Sequence, residues 1–318
     1  MKKYKIVITD NLNGNCDREK KILESIDADV EIYRELKGEE LIKAVEEADA
    51  VLVDMAEMTS EVIGHMKKCK VISRYGAGYD NVDTAAAAKA GIKVAIVPDY
   101  CIHEVAEHAF ALLLSFERNI AQRAKAVREG RWRDVPTPKM KRIHGSVLGI
   151  IGYGRTGRAL KAMAEGFGFS RVLIYSRGLK PGDQIDDSVF AVSLETLLKE
   201  SDYISLHLPL NEDTKYFIDS ESFDLMKNDA VLINTSRGAL INEGHLETAL
   251  KKGLIRGAAI DVLEYEPPRG SSHLAQLENI VITDHRAYYS EDSIALLKEK
   301  CAANAVSVLQ SGSAEYMV

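Results

Sequence analysis

Three charged residues in the last third of the chain have types and spacing that could do chemistry together. Arg237 lies in "NTSRGAL", Glu266 in "DVLEYEPP" and His285 in "ITDHRAYYS". Each follows a short apolar run that reads as a strand, and in an open α/β sheet ligands bind outside the carboxyl ends of the strands. An arginine there offers a bidentate clamp for a carboxylate, and burying its charge without an anion is costly. A histidine can give or take a proton near neutral pH. A glutamate beside it would orient the imidazole and favour its charged form. Singly, each has a plain alternative: a solvated arginine, a turn-ending glutamate before Pro267, a packed or surface histidine. Jointly they describe proton transfer on an anionic substrate.

A second constellation lies upstream. "VLGIIGYGRTGRALKAMAEGFG" holds Gly152, Gly154 and Gly157 in GxGxxG spacing. The pattern alone says little, but here it follows an apolar strand and opens an amphipathic helix. Gly152 permits the tight turn, Gly154 lets a pyrophosphate approach the backbone, and Gly157 lets helix pack on strand. The helix start presents free N–H groups and a positive dipole to phosphates. A tight turn with no ligand is the alternative. The next strand, "RVLIYSRG", brings Ser176 and Arg177 to the place where NAD sites usually hold Asp or Glu, about 20 residues on. A carboxylate would repel a 2′-phosphate, whereas serine and arginine would bind one. The sequence favours NADP over NAD, with a solvated Arg177 as the alternative.

The elements that position these residues follow a βαβ rhythm. "YKIVIT", "ADVEIY", "AVLVD", "KVISRYG" and "IKVAIVP" read as strands, with helices around 18–25 and 39–47. Such alternation implies a parallel sheet with helices on both faces. One long helix is expected over 103–130, "HEVAEHAFALLLSFERNIAQRAKAVREG", from its apolar spacing. After a polar segment with Pro136 and Pro138, a second series runs through "SVLGIIG", "RVLIYS", "YISLHLP", "AVLINTS", "GAAIDVL" and "NIVITDH". A helix from Ser290 to Gln310 closes the chain and is expected to return to the first domain. The expected fold class is α/β with two Rossmann-like doubly wound domains. A flavodoxin-like substrate domain takes 1–100 and 287–318, an NAD(P)-binding Rossmann domain takes 101–286, and a cleft lies between them.

Composition excludes several function classes. A length of 318 residues favours two domains, and 46% hydrophobic with 28% charged residues is ordinary for a globular protein. A net charge of −7 with no basic block argues against nucleic acid. The opening "MKKYKIVITDN" has an apolar run too short for a signal peptide and reads as a strand. No stretch reaches the roughly 18 apolar residues of a membrane span. Cys16, Cys69, Cys101 and Cys301 show no CxxC spacing, so neither a structural metal site nor a disulfide framework is expected. A reducing, cytoplasmic location follows.

Over nearly its whole length the chain resembles the D-isomer-specific 2-hydroxyacid dehydrogenases. The resemblance rests on GxGxxG, "NTSRGAxI", "AAxDVxExEP" and the histidine-bearing last strand. It extends to "YGAGYDNVD" (Tyr75–Asp83) and "VPDYCIHEVAEHA", which are similar to the family's glycine loop and interdomain helix start. It implies that Arg237, Glu266 and His285 are catalytic and that backbone amides of Ala77 and Gly78 bind the substrate carboxylate, in a loop with Arg74, Tyr75 and Gly76. It implies that Asp261 meets the carboxamide side of the nicotinamide, and that Arg155, Thr156, Pro209, Thr235 and Ser236 lie along the cofactor. Hydride would pass to C2 of a 2-keto acid while protonated His285 gives a proton to the developing alkoxide. Removing Glu266 should weaken reduction most at higher pH.

Two positions depart from the family pattern: Ser176 stands where most members have Asp, and Asp284 where Pro usually precedes the histidine. The segment 120–144, rich in Arg and carrying Trp132, resembles the family's dimerisation segment, so a homodimer is expected. The substrate stays open among glyoxylate or hydroxypyruvate reduction, phosphoglycerate oxidation, D-lactate formation and branched 2-keto acid reduction. Arg74 could meet a distal anionic group or be a salt-bridged rim residue. From a different class, a dinucleotide-sensing protein like the C-terminal-binding-protein corepressors shares "HRAYYSEDS"-type features. A methyltransferase using the glycine loop gives no account of the Arg/Glu/His set.

Overall fold

Apolar runs of three to five residues become strands buried on both faces, because helices cover a parallel sheet on each side. The computed structural model describes residues 4–11, 14–133, 139–268 and 272–318. By its internal contacts the chain divides into two units, one formed by Met1–Cys101 with Tyr289–Val318, the other by Ile102–Tyr288.

In the first unit β1 (Tyr4–Ile8), β2 (Ala28–Ile32), β3 (Ala50–Val53), β4 (Val71–Arg74) and β5 (Lys93–Ala95) run parallel in the order β2-β1-β3-β4-β5. This is the flavodoxin-like order. Its core holds Val7, Val51, Val53 and Ile72 under Leu41, Val45 and Ile63. The helix Glu291–Ser311 packs on this sheet. It starts in a capping box, with Ser290 accepting from the Ser293 amide and Ser293 from the Ser290 amide. Ser73 Oγ fastens it by donating to the Cys301 carbonyl at 2.8 Å.

The second unit adds β6 (Val147–Ile151), β7 (Arg171–Tyr175), β8 (Gln184–Asp186), β9 (Val189–Ala191), β10 (Tyr203–Leu206), β11 (Val231–Asn234), β12 (Gly257–Ile260) and β13 (Ile280–Ile282). Their order is β13-β12-β11-β10-β6-β7-β9-β8. From β6 the chain first builds outward to β9 and then resumes on the other side at β10. The point where strand order reverses therefore falls between β6 and β10, the crevice where such folds bind nucleotides. β8 is antiparallel to β9. That short hairpin has no signal in the apolar pattern, since β8 is the polar stretch "QID".

The single helix expected over 103–130 is two helices, Ile102–Glu117 and Ile120–Arg128, broken at Asn119 with a left-handed φ of 51°. Asparagine tolerates that conformation better than most residues. The reason for the break lies in the last turn of the first helix. Glu117 is fully buried, where Arg256 Nη2 meets its Oε2 at 2.5 Å and the Tyr203 hydroxyl donates to it at 2.6 Å. Apolar spacing continues past this anchor, but Ile120 and Val127 beyond it are exposed, so periodicity alone gave no stop.

Candidate active site

The glycine turn after β6 is shaped by close backbone packing on two sides. Gly152 has φ 96°, and a Cβ there would overlap the carbonyl of His207; a Cβ on Gly157 would overlap the carbonyl of Gly152. Gly154 differs, with nothing within 4 Å of where its Cβ would be. It precedes the helix Arg155–Ala164 without a side-chain cap of its own. On the neighbouring strand ends, the Thr235 hydroxyl and His207 Nδ1 are buried with no hydrogen-bond partner. Buried polar atoms are normally paired. An open glycine, a helix start without a side-chain cap and two orphaned polar atoms across the reversal point fit a dinucleotide. His207 is half-buried as a residue, but burial of its ring pushes the imidazole pKa down to about 4, so it stands neutral beside Ser205 Oγ at 2.9 Å.

Ser176 and Arg177 follow β7. The Arg177 side chain is 72% exposed, 4.0 Å from Asp213, itself 83% exposed. Pro209, after β10, accepts a hydrogen bond from Thr214 Oγ1 at 2.6 Å through its carbonyl. Thr156 lies half-buried and Arg155 exposed at the helix start.

Arg237, Glu266 and His285 follow β11, β12 and β13, three adjacent strands, at their carboxyl ends. Local hydrogen bonds turn the chain out of β11. Asn234, fully buried, accepts from the Ser236 amide at 3.0 Å and donates to the Arg237 carbonyl at 2.8 Å. Ser236 Oγ ties the turn to β10 at the Leu206 carbonyl, 2.9 Å away, and Arg237 Nη1 donates to the Ser236 carbonyl at 2.8 Å. Gly238 then lies so close to Leu263 and Glu264 that a Cβ would overlap their main chain. The arginine segment and the glutamate segment are thus in direct backbone contact.

Glu266 uses both carboxylate oxygens. Oε1 accepts from the Leu263 amide at 2.7 Å, and Oε2 lies 2.5 Å from His285 Nδ1. A carboxylate only accepts, so Nδ1 carries the hydrogen and Nε2 remains the atom for a substrate proton. The two side chains are 32% and 39% exposed. Tyr288 stands edge-on to the imidazole with centroids 6.3 Å apart. Asp284 is exposed.

His285 has a left-handed φ of 55°, and its amide donates to the Asp261 carbonyl at 2.8 Å. The Asp261 carboxylate is buried and takes Thr283 Oγ1 at 2.5 Å, the Arg286 amide at 3.2 Å and the Ala287 amide at 2.8 Å. Burial works to raise this carboxyl, but the nearby His108 and hydrogen bonds from Thr283, Ala287 and Arg286 outweigh it and hold it below the usual carboxylate range. Sequence reasoning placed Asp261 toward the cofactor. Its oxygens meet the main chain just after His285. His108, Thr283 and Asn234 fall inside the segments quoted above, but sequence reasoning gave none of them a role of its own.

In the first unit, Ala77 is exposed and Gly78 half-buried just after β4. Arg74 donates to the Tyr75 carbonyl, and its guanidinium fills the space a Cβ would need at Gly76, whose φ is 138°. Tyr75 is buried, its hydroxyl donating to Glu19 at 3.1 Å.

The model of the D-isomer specific 2-hydroxyacid dehydrogenase, NAD binding domain, matches residues 110–287. The chain is 37% identical to the glyoxylate reductase of Korarchaeum cryptofilum over 84% of this chain and 81% of that one. It is 36% identical to the hydroxypyruvate reductase of Thermotoga maritima, covering 90% and 92%. The crystal structure of a glyoxylate reductase from Paecilomyes thermophila matches with a TM-score of 0.90 at 26% identity, covering 100% and 99%. The chain belongs to the D-isomer specific 2-hydroxyacid dehydrogenase family. It is an oxidoreductase that works with a nicotinamide cofactor on the C2 centre of a 2-hydroxy or 2-keto acid.

Proposed function

We propose that this enzyme reduces a small 2-keto acid, glyoxylate or hydroxypyruvate first among them, with NADPH. The observation that carries the reading is the 2.5 Å contact of His285 Nδ1 with Glu266, which leaves Nε2 as a proton donor. The nicotinamide, when bound, supplies the hydride. Arg237 would hold the substrate carboxylate, fixing which face of C2 is presented. Protonated His285 gives its Nε2 proton to the carbonyl oxygen as negative charge develops there, and Glu266 stabilises the imidazolium. In the oxidative direction neutral His285 is the base.

Gly152, Gly154 and Gly157, with Arg155 and Thr156, would cradle the pyrophosphate, flanked by Pro209, Thr235 and Ser236. Ser176 and Arg177 would take the 2′-phosphate. Arg177 is held only loosely by Asp213 at 4.0 Å, and so exposed a pair is worth little, so a phosphate replaces it at small cost. The proposal includes a homodimer built on 120–144, where Ile120, Val127 and Trp132 are exposed; Pro136 and Pro138 of that segment lie outside the described residues. Free Cys16, Cys69, Cys101 and Cys301 are consistent with a cytoplasmic location. Among the described residues no helix is long and apolar enough to cross a membrane.

The test is cofactor absorbance with NADPH or NADH and a panel of 2-keto acids, with 3-phosphoglycerate run in the oxidative direction. NADPH oxidation fastest with glyoxylate or hydroxypyruvate is expected. A preference for NADH would overturn the role of Ser176 and Arg177. Turnover confined to a branched, aromatic or phosphorylated acid would overturn the substrate assignment.

A further inference from the structure

His108 lies on the helix Ile102–Glu117, far in sequence from every residue assigned above. Its Nε2 is 2.9 Å from Thr283 Oγ1 and 3.4 Å from Asp261 Oδ1. The Thr283 hydroxyl has one hydrogen, and Asp261 at 2.5 Å, a carboxylate that can only accept, takes it. The hydrogen between His108 and Thr283 must therefore sit on His108 Nε2. A directed chain follows: His108 donates to Thr283, Thr283 donates to Asp261, and Asp261 receives the amides of Arg286 and Ala287. Those two amides belong to the peptide units immediately after His285. The His285 amide itself is held by the Asp261 carbonyl.

Such restraint has a use at this place. A non-glycine residue at φ 55° sits in a sparsely populated region and persists only when its surroundings enforce it. The enforcing group is a buried carboxylate, and the oxygens of a buried carboxylate need hydrogen-bond donors. From the geometry we infer that His108 is a positioning residue for His285, acting through Thr283 and Asp261 to fix the backbone turn that aims the imidazole. The inference rests on the proposed proton-donor role of His285.

The experiment compares His108→Phe, which keeps ring bulk and loses the donor, with His108→Gln, whose amide nitrogen reaches the place of Nε2. kcat, KM for keto acid and cofactor, cofactor affinity by fluorescence and melting temperature are read for each. His108→Phe should lower kcat about tenfold, since small misplacements of a reacting group carry penalties of that size or more. KM, cofactor affinity and melting temperature should change little, and His108→Gln should recover most of the loss. Thr283→Val should lower kcat to a similar extent, with the modest loss of stability that deleting one hydrogen bond brings, and the double variant should lose no more kcat than the worse single one. Unchanged kcat in His108→Phe overturns the inference, as does a loss that tracks melting temperature without rescue by Gln. His285→Gln separates the two claims. Near-normal turnover there defeats the proton-donor reading, whereas its loss beside an unaffected His108→Phe defeats the positioning role alone.

Discussion

Among the described residues, the second unit contains two histidine–carboxylate pairs built to opposite specifications. His285 and Glu266 are 2.5 Å apart, and both are about a third exposed. His108 and Asp261 are 3.4 Å apart, with the carboxylate side chain wholly buried. In the exposed pair Glu266 spends one oxygen on the Leu263 amide and one on the imidazole, so the far edge of the ring stays reactive. In the buried pair the carboxylate is saturated by a hydroxyl and two main-chain amides. It cannot gain a proton without releasing backbone, and hydrogen bonds to charged groups are worth ~1.5–3 kcal/mol each. The same two residue types thus move a proton in one place and hold a loop in the other. What separates the roles is how much of the carboxylate's hydrogen-bonding capacity the main chain has already taken.

Replacing members of each pair should separate them. The largest effect belongs to His285→Gln, which should lower kcat by about 10²–10⁴-fold, the usual worth of a general acid or base, with cofactor affinity by fluorescence quenching unchanged. Glu266→Gln should cost about 10–100-fold in kcat for reduction, because Glu266 orients the proton-donating imidazole; near-normal turnover would contradict the pairing. Gly238→Ala forces a methyl onto Leu263, whose amide holds Glu266. Overpacking of this kind typically costs about 1–3 kcal/mol, to be read as a lower melting temperature with a fall in kcat.

Thr283→Val should show the smallest effect, about 1 kcal/mol of stability for one hydrogen bond, and pH gives its sign. The carboxyl of Asp261 is held below its ordinary range, so its contribution is present above the unfolded value near 3.8 and is lost as pH falls through the folded value. The stability gap between wild type and Thr283→Val, measured by denaturant unfolding, should therefore be full at neutral pH and narrow in acid. A gap that is constant across that range would mean the threonine acts by packing alone.

The exposed pair was legible in the sequence and the buried one was not, for a physical reason. Arg237, Glu266 and His285 announce themselves because each charge ends an apolar strand where burial alone would forbid it. The glycines at 152, 154 and 157 likewise stand in a strand–helix context that limits their meaning. His108 and Thr283 are single polar residues in or beside apolar runs, and nothing in either run says that the other approaches it from 175 residues away. The long-helix expectation failed similarly. Its apolar period is real, but the stop at Asn119 follows the buried Glu117 and its partners Arg256 and Tyr203, which only the folded sheet brings near. The parallel strands follow from the βαβ rhythm, whereas their order and the reversal point in the second unit come only with the folded sheet. The β8–β9 hairpin is too short and polar to leave that mark.

The Glu117–Arg256–Tyr203 cluster has a further consequence for how this protein can change. Tyr203 begins β10 and Arg256 immediately precedes β12, so the cluster bolts the amino ends of the strands, while every proposed reactive side chain of this unit hangs from the carboxyl ends. The buried charges of Glu117 and Arg256 are matched to each other at that amino rim. Substitutions at one rim should govern how long the protein survives, and at the other what it turns over. A lineage under pressure to accept a new acid can therefore rewrite the reactive rim while inheriting its foundation intact.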